Sequence, residues 1–300
     1  MVPRRPHFLI IGVPKAGTTS LADWLSQHPE VFMPDRIKEP FFFTYAGQPS
    51  YEYLGKHYRL PSFSYNWDKY LDLFEGASDG QLIGEASTSY FHSPQSPGLI
   101  HALLPDVKLI VILRNPLERA FSHYLMDIRD GRTTLSFEEE LEQEIRSRVP
   151  TRWYKYPGFY IEHLRRYLVF FRQEQIKVLL FEDITKNSKS TYRDICNFLG
   201  IDNSFTPVFE HKNAYGVYRY PAIRKKLIAI PYEHFVRRLA RFLIPNFLRK
   251  KLRESISDIS STQKPQMNHM TRNQLLNDYR SQIEELQSWL QRDLSHWMNE

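Results

Sequence analysis

The residues best suited to chemistry lie in Gly12-Val13-Pro14-Lys15-Ala16-Gly17-Thr18-Thr19-Ser20-Leu21. An apolar run, Phe8–Val13, leads into this stretch, and a helical pattern with Leu21, Trp24 and Leu25 on one face follows it. Gly12 and Gly17 stand five apart, the spacing of the G-x-x-x-x-G-K-[ST] phosphate loop. A strand–loop–helix of this kind turns backbone N–H groups and the positive end of a helix dipole toward an anion. Ala16 and Gly17 belong to the ligand-binding turn, and Thr18, Thr19 and Ser20 add hydroxyl donors. Thr18 stands where an ATP or GTP loop carries its lysine. The lysine is instead Lys15, at the crest of the loop. A cation there meets a bridging or leaving oxygen rather than lying along a β,γ-phosphate pair.

A second anion site follows the run Lys108–Leu113. P-loop kinases and NTPases end the comparable strand in an Asp that helps to hold Mg²⁺. Here the strand ends in Arg114, so this position recruits an anion rather than a cation. Arg114-Asn115-Pro116 then opens a helix with proline at its first position. Ser122 falls roughly two turns further along it. A guanidinium fork and a hydroxyl together suit a phosphate. A nucleotide with anionic groups at both its 5′ and 3′ positions would satisfy both sites, with no metal between them.

The elements that must position these groups read as an α/β fold. Buried strands are expected at Phe8–Val13, Gln81–Gly84, Lys108–Leu113 and Ile176–Phe181. Helical patterns alternate with them, including Leu164, Tyr167, Leu168 and Phe171, and Tyr192, Ile195, Phe198 and Leu199 closed by Gly200. This implies a P-loop-like central parallel sheet flanked by helices, in one domain over 1–300. A C-terminal helical extension, Thr271 to Trp297, carries an apolar stripe expected to pack on the sheet. Residues 41–75 are dense in aromatics and broken by Gly and Pro, which predicts a long structured loop with a short helix on the acceptor side. Residues 219–253 read as basic helices, with eleven Lys/Arg against Glu233 alone.

Composition excludes several classes. Of 300 residues, 42% are apolar and 25% charged, near globular averages. The net charge of +6 comes from 219–253 alone, since the rest of the chain is negative. A nucleic-acid partner is therefore not expected. The single cysteine, Cys196, excludes an intrachain disulfide and sits among apolar neighbours as a core residue. No His or Cys spacing suggests a metal site. No targeting or membrane-spanning segment is visible, so a cytoplasmic protein is expected, with peripheral membrane contact or an anionic partner available to 219–253.

The two motifs resemble those of the sulfotransferase superfamily that uses 3′-phosphoadenosine 5′-phosphosulfate (PAPS). Gly12–Leu21 resembles its 5′-phosphosulfate loop, and Arg114-Asn115-Pro116-Leu117-Glu118-Arg119-Ala120-Phe121-Ser122 its 3′-phosphate motif. Gly158-Phe159-Tyr160, Val178–Asp183 and Arg292–Trp297 add supporting likeness. The resemblance implies PAPS as co-substrate and 3′,5′-adenosine bisphosphate as product. Lys15 would act on the phosphosulfate; Gly17, Thr18, Thr19 and Ser20 on the 5′-phosphate; Arg114 and Ser122 on the 3′-phosphate. Lys38-Glu39-Pro40-Phe41-Phe42-Phe43 resembles the Lys-Glu-Pro-x-Phe-Phe segment of the heparan-sulfate branch, whose glutamate is the proposed base, so Glu39 is the first candidate for that role. Gly84-Glu85-Ala86-Ser87-Thr88-Ser89-Tyr90 resembles the branch's Glu-Lys-[Ser/Thr]-Pro-x-Tyr segment, with Ala86 in place of lysine and Thr88 in place of proline. Glu85 is expected to line the acceptor pocket and is a further catalytic candidate, the alternative to Glu39 as base. Another branch uses a histidine base, for which His92, His123, His211 and His269 are available, and Lys264 is a candidate for a nucleotide lid. The acceptor implied is a hydroxyl on a carbohydrate or on a small-molecule or carrier-bound hydroxyacyl metabolite. Two alternatives remain: a P-loop nucleotide kinase using ATP and Mg²⁺, and a non-catalytic nucleotide-binding module.

Overall fold

The apolar runs fold as one all-parallel sheet of five strands in the order β2-β5-β1-β6-β7. The structure, a computed structural model, describes residues 4–35, 37–53, 56–144, 149, 153–209, 217–218, 259–260 and 265–299. The chain runs β1 (Phe8–Gly12), α1 (Thr18–Ser26), β2 (Val31–Phe32), α2 (Phe42–Tyr45), β3 (Ser50–Tyr53), β4 (Lys56–Arg59) and α3 (Trp67–Leu71). It continues through β5 (Leu82–Ala86), α4 (Ser96–Leu103), β6 (Lys108–Leu113), α5 (Pro116–Arg129) and α6 (Phe137–Glu144). Then come α7 (Tyr160–Leu168), β7 (Ile176–Leu180), α8 (Phe181–Lys186), α9 (Ser188–Leu199) and, near the C-terminus, α10 (His269–Leu290).

Phe8, Leu9, Ile10 and Ile11 of β1 are all fully buried, as a strand covered on both faces by helices requires. β1 pairs with β5 on one side and β6 on the other. Their C-terminal ends therefore open onto the same edge of the sheet, where open α/β folds bind ligands. Glycine is required in this packing: a Cβ on Gly84 of β5 would lie 2.1 Å from the ring of Phe8. Cys196 is fully buried in α9, and Gly200 ends that helix in the left-handed region at φ 83°.

Several expectations need correction. The strand expected at Gln81–Gly84 lies at Leu82–Ala86. A further strand, β2, has only two residues and so leaves no periodic signal. The loop expected over 41–75 contains an antiparallel hairpin, β3–β4, besides the short helices α2 and α3. Stacked rings brace it: Tyr45 on Tyr51 at 5.5 Å, and Tyr51 on Tyr58 at 5.1 Å. The last helix stops at Leu290 instead of Trp297, with Gln291 left-handed at φ 52°. It packs chiefly on α7 and α5 rather than on the sheet. Gly158 permits that contact, since a Cβ there would lie 2.8 Å from the Tyr279 ring of α10. The basic stretch 219–253, His211 and Lys264 lie outside the described residues.

Candidate active site

The site is built where the loop after β1 meets the turn after β6. Gly12 must be glycine there, because a Cβ would lie 2.8 Å from that of Phe91 and 3.2 Å from the carbonyl of Thr88. Lys15 and Gly17 both take left-handed backbone conformations, at φ 71° and 89°. This folds the loop back over the start of α1, whose N-terminus has no side-chain cap. The first-turn N–H groups are thus left to a ligand. Thr18 and Ser20 are buried, and Thr19 is half-buried.

Lys15 is half-buried, and its ammonium rests 3.5 Å from the thioether of Met126 on α5. A thioether is a weak acceptor, so the ammonium is held in place but little satisfied. Burial, with the Arg129 and Arg114 cations next, pulls its pKa down to about 8. Arg114 donates from Nη1 to the carbonyl of Lys15 at 2.9 Å and lies over the Phe181 ring at 4.8 Å. Burial lowers its pKa, while Glu118, at 3.8 Å, works in the other direction. Asn115 caps α5 by accepting from the N–H groups of Leu117 and Glu118, with Pro116 at the first position. Asn115 also donates to the carbonyl of Trp297 at 3.1 Å, tying the C-terminal segment to this turn. Arg292 clamps the same segment through both oxygens of Asp183. Ser122 is half-buried on α5.

Opposite the loop lies Glu39, half-buried just before α2. Burial raises its pKa, and the neighbouring Lys38 cation, a hydrogen bond from Thr88, Arg132 and Lys15 all oppose the rise. Thr88 Oγ1 donates to Glu39 Oε1 at 3.1 Å. Lys38 is exposed and donates its ammonium to the hydroxyl of Thr19, at the start of α1. The acceptor-side loop is thereby tied to the phosphate loop. Beyond Lys15 the end of α5 gathers further charge: Arg132 binds Asp127 and Asp130, each at 2.6 Å, and Arg129 binds Asp130 at 3.1 Å.

Glu85, expected in the acceptor pocket, is a correction. It is only 1% exposed, and its carboxyl receives hydrogen bonds from Tyr70 at 3.1 Å and Ser87 at 2.9 Å. Burial outweighs these bonds and brings its pKa up to about 7. Ser87 in turn accepts from the N–H of Phe41 at 3.0 Å, where the backbone is left-handed at φ 57°. Glu85 therefore braces the Glu39 loop from behind. His92 and His123 are buried and His269 is exposed at the start of α10. Among the described residues, no three His, Cys, Asp or Glu side chains gather into a metal site.

The structure joins Lys15 and Arg114, each expected at an anion site, through a hydrogen bond, whereas the groups that act on Glu39 and Lys15 were not legible in the sequence. Thr88 had been noted only as a departure from proline. Met126 carries no motif signal, and Lys38, though part of the Lys-Glu-Pro segment, gives no sign in sequence that it reaches Thr19; both spacings are set by the fold.

The model of the "Sulfotransferase family" matches residues 6–207, and the chain belongs to that family. Human heparan sulfate glucosamine 3-O-sulfotransferase 6 is 30% identical over 212 residues, covering 70% of this chain and 57% of its own length. Mouse carbohydrate sulfotransferase 15 is 30% identical over 258 residues, covering 65% of this chain and 44% of its own. The chain thus spans about half the length of these curated relatives. The crystal structure of a sulfotransferase from Alicyclobacillus acidocaldarius superimposes with a TM-score of 0.72 at 29% identity, covering 99% of this chain and 100% of that one. The sulfotransferase domain from the curacin biosynthetic pathway shares the fold, with a TM-score of 0.51 at 17% identity.

Proposed function

We propose that the protein transfers a sulfuryl group from PAPS to a hydroxyl, with a carbohydrate as the first-choice acceptor. The observation that carries this reading is the hydrogen bond from Arg114 to the Lys15 carbonyl, which makes one cleft of two anion-binding turns. In this reading the loop 15–20 takes the 5′-phosphosulfate, and Arg114 with Ser122 takes the 3′-phosphate. Glu39 accepts the acceptor's proton while the acceptor oxygen bonds to sulfur. The S–O bond to the 5′-phosphate breaks, its electron pair stays on the phosphate oxygen, and Lys15 stabilises that developing charge. A buried carboxylate with a raised pKa suits a base working near neutrality. Glu85 holds the base loop and does not touch the acceptor.

The exposed Lys38 cation beside Glu39 favours an acceptor that already carries negative charge. The names of the human and mouse relatives point the same way, toward sulfated or sulfatable carbohydrate. A kinase reading is disfavoured by Thr18 in place of the loop lysine and Arg114 in place of the metal-binding carboxylate.

The test is incubation with radiolabelled PAPS and heparan sulfate polysaccharide, alongside a melting comparison of 3′,5′-adenosine bisphosphate with ATP. Label on the polysaccharide and a larger melting shift from the bisphosphate are expected. A Mg²⁺-dependent phosphate transfer from ATP, or a shift from ATP alone, would overturn the reading.

A further inference from the structure

The exposed Lys38 has so far no part in the bond-making and bond-breaking steps themselves. Lys38 adjoins Glu39 in the chain, yet its ammonium is bonded across the cleft to Thr19, one of the hydroxyls of the phosphate loop. It is also the strongest charged influence on Glu39 and one of the cations acting on Lys15. Its charge therefore lies among the base, the phosphate loop and the leaving-group lysine. In an in-line transfer the group in transit occupies that space, with negative charge spread over its equatorial oxygens. The Thr19 hydroxyl can accept from the lysine and donate to a phosphate at once, and the ammonium keeps further N–H donors for a second acceptor. Lys38 is also exposed, so it can turn without moving the fold.

We propose that Lys38 is a second catalytic lysine, held on Thr19 beside the 5′-phosphate position and presenting its remaining N–H donors to the sulfuryl oxygens. The inference rests on the sulfuryl-transfer reading above. Lys38 stays protonated throughout. The acceptor O–S bond forms, the S–O bond to phosphate breaks, the acceptor proton goes to Glu39, and the electron pair leaves on the bisphosphate. Lys38 neutralises charge on the three oxygens that are neither attacking nor leaving, whereas Lys15 serves the leaving oxygen.

The experiment compares the native protein with Lys38→Met and Lys38→Arg. Three quantities are read: PAPS consumption with heparan sulfate polysaccharide or with water as acceptor, the melting shift given by 3′,5′-adenosine bisphosphate, and the pH profile of kcat. The bisphosphate has no sulfuryl group, so its melting shift should survive in Lys38→Met. Its kcat should fall roughly 10²-fold, as for loss of one transition-state donor. Lys38→Arg should restore much of that loss. The acidic limb of the Lys38→Met profile should also move to higher pH, because the cation that favoured ionised Glu39 is gone. The other groups facing Glu39, namely Thr88, Arg132, Lys15 and Glu85, stay unchanged in both variants. If native protein consumes PAPS and Lys38→Met matches it in rate and profile, Lys38 is a bystander and the proposal falls alone. If kcat and the bisphosphate shift are lost together, Lys38 is a donor anchor and the proposal also falls. If the native protein consumes PAPS with neither acceptor, the sulfuryl-transfer reading fails and takes this inference with it.

Discussion

The two walls of the cleft are built by different physics. The donor wall, loop 12–20 with the turn at Arg114, is made of backbone geometry and fixed cations: two left-handed residues, an uncapped helix start and a guanidinium on a carbonyl. The acceptor wall is made of carboxyls whose charge depends on their surroundings. Glu39 is raised by burial and held by Thr88, and Glu85 is sealed behind it under Tyr70 and Ser87. In the proposed reading, the first wall takes its anion through fixed backbone and cations. The second is tuned by desolvation, and tuning needs distant residues to pack correctly.

If this division is right, substitutions on the two walls should fail in different observables. The largest effect is expected from Glu39→Gln, which should lower kcat by roughly 10²–10⁴. Its bisphosphate affinity, read by titration calorimetry, should stay at the native value; a parallel loss would move Glu39 to the donor wall. Lys15→Ala should cost roughly 10²–10³ in kcat. In the native protein, bisphosphate binding should weaken as the pH passes about 8, where Lys15 gives up its proton; a flat profile there would show that Lys15 does not meet the anion.

Glu85 sharpens the contrast through stability. In the folded chain its pKa stands at about 7, above the ordinary carboxylate value, so the folded state holds the proton more tightly. The resulting stabilisation is full below about pH 4.5 and is lost as the pH climbs through about 7, on the order of 3 kcal/mol in all. Glu85→Gln should flatten that part of the melting temperature against pH, with donor affinity unchanged. Arg114→Ala should weaken bisphosphate binding by about 1.5–3 kcal/mol, the range for a hydrogen bond to a charged group. Unlike Glu39→Gln, it should act on donor affinity before turnover. The smallest effect is expected from Arg292→Ala. The Arg292 side chain is 46% exposed, so chemical denaturation should show a loss of at most about 1 kcal/mol.

Much of the donor wall was legible in the chain. Gly12, Lys15, Gly17 and the hydroxyl run form one contiguous segment, and contiguous residues sample their own geometry whatever surrounds them. Arg114 was legible as well, because a fully buried run and Asn115-Pro116 bracket it. The acceptor wall was legible only in its types. Glu39 and Glu85 are both carboxylates in motif-like segments, yet one is half-buried in the cleft and the other 1% exposed behind it. The aromatic segment 41–75 gave no strand period strong enough to reveal the β3–β4 hairpin. The stripe on α10 showed that this helix has a buried face but not what buries it: the answer, α5 and α7, depends on how helices stack over the sheet.

The amino-acid order alone therefore determined the alternating strands and helices, the two anion-binding turns and their succession along the chain, because each rests on neighbours a few bonds apart. Tertiary structure alone decided that Thr88 donates to Glu39, that Lys38 reaches Thr19, that Met126 supports Lys15, and that Glu85 faces inward. Those contacts join segments far apart in the chain. Their distances are set by strand order and core packing, and burial, which raises the pKa of one carboxylate against the next, exists only once that packing is complete.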